Sequence, residues 1–133
     1  VEMLKELALK IGAKKLVITS PDEHDSIIAY TSQLAHIVSS AYVKSPIINK
    51  ECGFSGGSFQ DMTRIATMNE EMWSTLFLQN KENLLNELNI LINNLTEYSK
   101  ALADENKEKL SSLIKDGREI KEENLKNRLG QPN

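Results

Sequence analysis

The sequence has few of the residues on which disulfide-bonded, metal-binding or membrane proteins depend. A single cysteine, Cys52, excludes an internal disulfide, and one cysteine with two histidines argues against a structural zinc site. The apolar runs are far shorter than the ~20 residues that span a bilayer, and no signal peptide is recognisable. We therefore expect a cytoplasmic protein that does not enter a membrane.

The charge and composition narrow the class of protein further. A formal net charge of −3 gives the chain no general attraction for nucleic acid. The 133 residues fit one domain, and 40% hydrophobic with 26% charged residues is ordinary for a folded protein. The chain begins at Val1 rather than Met, so we expect further residues upstream. It contains no GxGxxG, P-loop or HExxH pattern and no credible Ser/His/Asp set, so no catalytic residue is identifiable.

The first half of the chain is predicted to be mainly helical. Apolar spacing predicts a helix over residues 2–11 that ends at Gly12. Residues 15–19 include the β-branched Val17, Ile18 and Thr19 and predict a short extended piece, an edge strand of a sheet that lies mostly elsewhere. Ser20 and Glu23 form a capping box around Pro21, so a second helix should begin there and run to about residue 43.

The second half predicts a glycine-rich loop and then long helices. Residues 44–58 form the loop, a helix resumes at Phe59, and Asn69 caps the next one. A last helix should run over residues 104–128, before a frayed tail at 130–133. A packed seam repeats at alternating four- and three-residue spacing through Leu84, Leu88, Leu91, Leu95, Tyr98 and Leu102. We therefore predict a nearly all-α bundle of five or six helices, whose two long C-terminal helices bury a second face against a partner subunit.

The stretch over residues 56–64 is the most informative for binding. A glycine turn leads directly into a helix start, where backbone N–H groups and the helix dipole favour an anion. Asp61 and Arg64 lie three residues apart and can pair, and Arg64 can offer a planar fork to a carboxylate. The alternative is a flexible connection followed by a surface Asp–Arg pair.

Two ring-bearing residues are further candidates. His36 lies mid-helix among apolar neighbours, either as a half-buried histidine bonded to the backbone or as an imidazole that lines a polar pocket. Trp73, the one tryptophan, is either a core anchor or a ligand contact through its indole N–H. We assign a structural role to His24, paired with Asp25 or Glu23, and treat Cys52 as inert.

Four segments resemble the prephenate dehydrogenase family in order, spacing and composition. They are His24-Asp25, the run Tyr30-Thr31-Ser32-Gln33-Leu34-Ala35-His36, the run from Gly56 to Ala66, and Met72-Trp73. The resemblance covers nearly the whole chain. It implies that residues 1–133 are a helical substrate-binding and dimerisation domain, like the C-terminal domain of 6-phosphogluconate dehydrogenase-type enzymes. The family's N-terminal Rossmann domain, which binds NAD (or NADP) and supplies the catalytic histidine, is absent from this sequence.

The resemblance also implies a reaction and roles for residues. The reaction is oxidative decarboxylation of prephenate to 4-hydroxyphenylpyruvate in tyrosine biosynthesis, carried out by a homodimer that binds neither metal nor nucleic acid. By resemblance, the substrate-binding residues are Arg64 on a carboxylate, His36 at the pyruvyl end, Trp73 lining the pocket, Asp61 holding Arg64, and Gly57 approaching the neighbouring subunit's site.

Some positions depart from the family pattern and leave alternatives open. The family often has proline at Ala35, glycine at Ser58 and a small polar residue near Met68. Ser58 and Met68 leave the choice between prephenate and arogenate undecided. A related dehydrogenase acting on arogenate and a non-enzymatic helical dimerisation module are therefore kept as alternatives. We expect the isolated chain to be inactive, because it lacks the domain that binds NAD.

Overall fold

The computed structural model describes residues 1–129, and this part of the chain is helical, with no β-strand. The helices are α1 (Glu2–Lys10), α2 (Pro21–Ile28), α3 (Leu34–Tyr42), α4 (Gly57–Thr63), α5 (Glu70–Gln79), α6 (Lys81–Ala103) and α7 (Lys107–Leu129). A π-helical turn, Ala29–Gln33, joins α2 to α3, and a 3₁₀ helix, Pro46–Lys50, follows α3. The nearly all-α prediction is confirmed.

Three sequence expectations need correction or fall outside this range. The edge strand expected over residues 15–19 is not formed in this structure: these residues are irregular, and residues 1–129 contain no strand that could provide the hydrogen-bond ladder. The last helix begins at Lys107 rather than near residue 104, because Asn106 Oδ1 accepts a hydrogen bond from the Lys109 N–H at 2.8 Å and caps it. The tail over residues 130–133 lies outside the described residues.

The predicted helix boundaries at Gly12 and Ser20 are confirmed. Gly12 has a φ of +99°, which glycine adopts readily, and its N–H donates to Leu9 O at 3.1 Å. The next N–H, of Ala13, donates to Ala8 O at 3.0 Å, which completes a Schellman end to α1. Ser20 Oγ accepts from the Glu23 N–H at 3.2 Å and caps α2.

The helix predicted from Ser20 to about residue 43 is interrupted in its middle. The N–H of Leu34 donates to Ala29 O, five residues back, so the turn over Ala29–Gln33 contains one residue more than an α-helical turn. Apolar periodicity cannot distinguish this turn from α-helix, since both bury one face. The π turn carries two of the residues that hold the site described below.

The described residues divide into two compact units, which we call the central unit (residues 20–92) and the terminal unit (residues 1–19 and 93–129). The core of the central unit consists of three buried apolar residues, Ala29, Leu34 and Leu84. Half-buried side chains that pack against it are Ile37, Val38, Phe77, Leu88 and Leu91. The first half of the predicted leucine seam on α6 therefore packs inside the central unit.

In the terminal unit, Glu97 near the end of α6 pairs with Lys109 of α7 and with Lys100 of its own helix. Lys109 Nζ lies 3.1 Å from Glu97 Oε2, and Lys100 Nζ lies 3.7 Å from Glu97 Oε1. The hydrogen bond from Lys109 and then the charges of Lys109 and Lys100 hold the pKa of Glu97 below its ordinary value. Large apolar side chains remain exposed in this unit, among them Leu4, Leu7, Leu95, Ile114 and Ile120. Exposed apolar residues in such number are typical of a protein–protein interface.

Candidate functional site

His36 and Trp73, two of the residues singled out from the sequence, form a ring stack in the central unit. Their ring centroids lie 3.8 Å apart with an interplanar angle of 27°. His36 lies in the first turn of α3 and Trp73 in the first turn of α5. Phe77, one turn further along α5, meets the indole at a centroid distance of 5.5 Å and packs on the buried core. The stack is therefore supported from the core side, while both of its rings stay half-buried.

The His36 ring is oriented by the π turn that precedes α3. Its Nδ1 lies 2.9 Å from the carbonyl oxygen of Ser32. A carbonyl oxygen only accepts, so Nδ1 carries the proton, and in the neutral ring Nε2 is then the hydrogen-bond acceptor. The backbone-bonded interpretation of His36 is thus correct for Nδ1, and it leaves Nε2 as the nitrogen that can meet a ligand.

A network of side-chain amides adjoins this stack. Gln33, the last residue of the π turn, is 6% exposed, and its Nε2 donates to Leu76 O at 3.3 Å. Its Oε1 accepts from Asn80 Nδ2 at 2.9 Å, and the same Asn80 Nδ2 donates to Asp25 O at 2.8 Å. Asn83 Nδ2 donates to Asn80 Oδ1 at 2.8 Å. The network joins α2, the π turn, and the junction of α5 with α6.

Helix α4, which carries the predicted Asp61 and Arg64, packs on α3. The ring of Phe59 meets that of Tyr42, at the end of α3, at a centroid distance of 6.2 Å. The Thr63 hydroxyl donates to Phe59 O at 2.8 Å, and the N–H of Arg64 donates to Gln60 O at 2.9 Å as α4 ends. Arg64 therefore follows directly from a helix whose position is set by aromatic packing.

Arg64 and Asp61 are both exposed, and the ion pairs of residues 1–129 do not include one between them. The predicted Asp61–Arg64 pair is therefore not formed in this structure, because side chains three residues apart on an exposed helix gain little by pairing. The guanidinium consequently retains its hydrogen-bonding capacity for another carboxylate. By contrast, the predicted pairing of His24 with Asp25 is present, with Nδ1 3.0 Å from Oδ1.

Gly57 is the first residue of α4, and a Cβ built on it would meet nothing within 4 Å. The fold of this chain therefore does not itself require glycine there. No hydrogen bond, ion pair or ring contact among residues 1–129 joins Gly57, Asp61 or Arg64 to the His36–Trp73 stack. A cavity of about 780 Å³ lies instead beside the loop, where Tyr42, Ile47, Ile48, Phe54, Phe59 and Met62 form its apolar lining.

Sequence reasoning missed Gln33 and Asn80, although a signal for Gln33 was present. Ala29, Gln33 and Ile37 repeat every four residues, which places a polar amide in line with core positions. Buried polar groups are nearly always hydrogen-bonded, so a glutamine at that spacing predicts partners. Asn80 carried no comparable signal, because an asparagine between two helical patterns is also an ordinary helix end.

Two further properties of residues 1–129 bear on the class of protein. No helix in this part of the chain is long and apolar enough to cross a membrane. These residues also contain no group of three or more His, Cys, Asp or Glu side chains placed to hold a metal ion. The candidate site residues among those described are therefore the His36–Trp73 stack and Arg64.

The described residues therefore form a helical domain with an aromatic stack, an exposed arginine and exposed apolar side chains. Residues 20–116 match the family described as the dimerization domain of prephenate dehydrogenase. That match covers well over half of the chain, so the chain belongs to this family.

Curated relatives and solved structures agree with the family match. Prephenate dehydrogenase of Bacillus subtilis (strain 168) is 29% identical over 130 residues, which is 92% of this chain and 34% of that protein. Cyclohexadienyl dehydrogenase of Zymomonas mobilis is 29% identical over 84% of this chain and 40% of that protein. Prephenate dehydrogenase from Aquifex aeolicus, in complex with hydroxyphenyl propionate and NAD+, has a TM-score of 0.72 and 27% identity, over 94% of this chain and 44% of that one. The chain therefore spans less than half of the length of these proteins.

Proposed function

We propose that this chain is the substrate-binding and dimer-forming part of an enzyme that converts prephenate to 4-hydroxyphenylpyruvate and CO2 while a hydride passes to NAD. The observation that carries the proposal is the His36–Trp73 stack. Resemblance to this family alone assigns these two residues, 37 positions apart in sequence, to one pocket. Their ring centroids lie 3.8 Å apart in a chain that the family model matches. Together with the exposed Arg64, this pairing favours a substrate pocket over a module that serves only dimerisation.

Arg64 is the residue that binds a substrate carboxylate. Prephenate carries two carboxylates, and a guanidinium binds such a group through two parallel N–H···O bonds. Arg64 is exposed at the end of α4, and within residues 1–129 its side chain forms no ion pair that would compete. Its role is to orient the substrate, so that carbon–carbon cleavage and hydride transfer occur from one bound geometry.

His36 and Trp73 bind the other parts of the substrate. With Nδ1 held by Ser32, Nε2 of His36 is the polar atom available to the pyruvyl end. Trp73 presents an apolar surface with an indole N–H, which suits a cyclohexadienyl ring that bears a hydroxyl. Gly57 approaches the neighbouring subunit of a homodimer, where a side chain would intrude.

The residues of this chain do not fit the cofactor itself. A dinucleotide site needs a glycine-rich turn between a strand and a helix. The glycine loop here follows a 3₁₀ helix, and residues 1–129 contain no strand. NAD is accordingly assigned to a separate domain of the full-length protein, and the chain by itself should be inactive.

The test is NADH formation from prephenate by the full-length protein, compared with its Arg64→Ala and Arg64→Lys variants. Loss of one charged contact to the transition state should cost on the order of 2–4 kcal/mol, or roughly a 30- to 900-fold fall in kcat/KM. Arg64→Lys should be intermediate, because lysine keeps the charge but not the planar fork.

Arg118→Ala is the matched control. Arg118 is also exposed and pairs with Glu122 at 3.0 Å on α7, so its removal should leave kcat/KM unchanged. An Arg64→Ala variant as active as the Arg118→Ala control would refute the role of Arg64. An unsubstituted protein without activity on prephenate would refute the substrate.

Arogenate is the second candidate substrate. Ser58 and Met68 depart from the family pattern, and relatives of equal identity carry the names prephenate dehydrogenase and cyclohexadienyl dehydrogenase. Arogenate differs from prephenate at the pyruvyl end, where an amine replaces the keto group, so His36 is the residue that meets the difference. The ratio of kcat/KM for the two substrates decides between them.

A further inference from the structure

We propose that Gln33 and Asn80 are positioning residues that set His36 against Trp73 and thereby shape the substrate site. The inference rests on the proposed function, because it assigns to these two amides an effect on substrate binding. Neither side chain belongs to the His36–Trp73 stack. Both act through the backbone of the elements that carry the two rings.

Gln33 connects the same two elements as the ring stack. Gln33 precedes His36 by three residues, and Leu76 follows Trp73 by three residues, so each pair occupies one helix face. The Gln33 Nε2–Leu76 O hydrogen bond, 3.3 Å long, and the His36–Trp73 stack are therefore two successive cross-links, one turn apart. The hydrogen bond limits sliding of one element along the other.

Asn80 fixes the orientation of the Gln33 amide. Asn80 Nδ2 donates to Gln33 Oε1 at 2.9 Å, which leaves the Nε2 end of Gln33 to face Leu76. Asn80 is held in turn by Asp25 O and by the amide of Asn83. With Asn80 removed, the buried Gln33 oxygen would lose the one hydrogen bond found for it among residues 1–129, and the amide could turn over.

Gln33 also bears on the orientation of the imidazole, through the π turn. Ser32, whose carbonyl oxygen accepts from His36 Nδ1, is the neighbour of Gln33 in the π turn. A π turn holds one residue more than an α turn, and its loss would rotate α3 by about 100° about its axis. Such a rotation would carry His36 away from Trp73. Gln33 opposes it because its side chain is tied to α5.

The experiment uses the full-length protein with the Gln33→Leu, Asn80→Ala and combined substitutions. Two properties are measured: kcat and KM for prephenate, and the ring-proton NMR shifts of His36, which the stacked indole moves upfield. The Trp73→Phe variant identifies the contribution of that indole. Gln79→Leu is the matched control. Gln79 is exposed on α5, the helix that carries Trp73 and Leu76, and makes no side-chain hydrogen bond among residues 1–129.

Gln33→Leu should remove most of the upfield shift and lower kcat/KM on the order of 10- to 100-fold, mainly through KM, because a displacement of about 1 Å in a binding residue has effects of that size. The Gln79→Leu control should change neither property. The combined variant should be no worse than Gln33→Leu alone, since the two amides act as one network. Should Gln33→Leu fail to fold, Asn80→Ala provides the test, because it leaves Gln33 in place and removes only the hydrogen bond that orients its amide.

The two measurements separate this inference from the proposed function. If the unsubstituted protein does not convert prephenate but the upfield shift of His36 is lost in Gln33→Leu, the substrate assignment is refuted and the positioning role is supported. If the shift persists in Gln33→Leu, the positioning role falls whatever the substrate is. If the shift is lost while kcat/KM stays at the control value, the network does not act on the substrate site, and the inference is overturned.

Discussion

Ser39 offers a test of how completely this chain satisfies its own buried polar groups. The side chain is 1% exposed on α3, and within residues 1–129 its hydroxyl has no hydrogen-bond partner. A buried unsatisfied hydroxyl costs about 1–3 kcal/mol, and alanine is better than serine in a helix by about 0.5 kcal/mol. Some packing is lost with the oxygen, so Ser39→Ala should stabilise the protein by about 1–2 kcal/mol.

The assay is thermal unfolding at one fixed protomer concentration, because association makes the Tm depend on concentration. For a chain of this length a gain of 1–2 kcal/mol raises the Tm by roughly 4–7 °C. Ser40→Ala, at the next position of α3, is the control and should gain only the helix-propensity part, about 0.5 kcal/mol. A fall in Tm for Ser39→Ala would refute the reasoning, since it would mean that the hydroxyl is hydrogen-bonded in solution, for instance to a buried water.

Two more predictions concern α4 and the terminal unit. Gly57→Ala should raise the free energy of unfolding by up to about 1 kcal/mol, because a Cβ there meets nothing, and should lower kcat/KM in the full-length dimer. The control, Gly117→Ala on α7, should raise stability and leave kcat/KM unchanged. Equal activity of the two variants would contradict the proposed role of Gly57. Glu97→Gln should lower the Tm near neutral pH, because the pKa of Glu97 is lowered in the folded state. The carboxylate therefore contributes stability above its unfolded-state pKa, and this contribution is lost as the pH falls through its folded-state pKa. The Tm difference should therefore vanish in acid and shrink in high salt, and a difference that persisted in acid would exclude the charge pairs with Lys109 and Lys100 as its cause.

Much of the fold could be predicted from the sequence because residues at the helix ends themselves determine where the helices begin and end. Ser20 and Asn69 cap their helices through their own side chains, and Gly12 takes the positive φ that ends α1. The end of α6 was harder to place, since Glu105 occupies the left-handed region with a φ of +49° where glycine is usual. The π turn is set by contacts with α5 and the start of α6, which local sequence does not encode.

The site could be predicted only in part, for a related reason. Resemblance brought His36, Trp73 and Arg64 together as members of one pocket, but spacing alone left each of them open to a structural role. The stack itself depends on contacts between α3 and α5, which are separated by the loop and α4. The three-residue spacing of Asp61 and Arg64 allows an ion pair between them, but the pair is not formed in the structure.

The small core of the central unit supports the proposal that hydrogen bonds act together with packing to determine the position of His36. Only three apolar residues among those described are buried in that core, and one of them is an alanine. Apolar contacts are non-directional. Because the core contains few of them, they determine the rotation of α3 about its axis only weakly. The Gln33 amide adds a directional constraint, and because it is buried, any rotation that broke its hydrogen bonds would leave polar atoms unsatisfied at a cost of about 1–3 kcal/mol each. A larger apolar side chain at position 33 would add buried surface and still lose that constraint, so substitution there should damage substrate binding more than it damages stability.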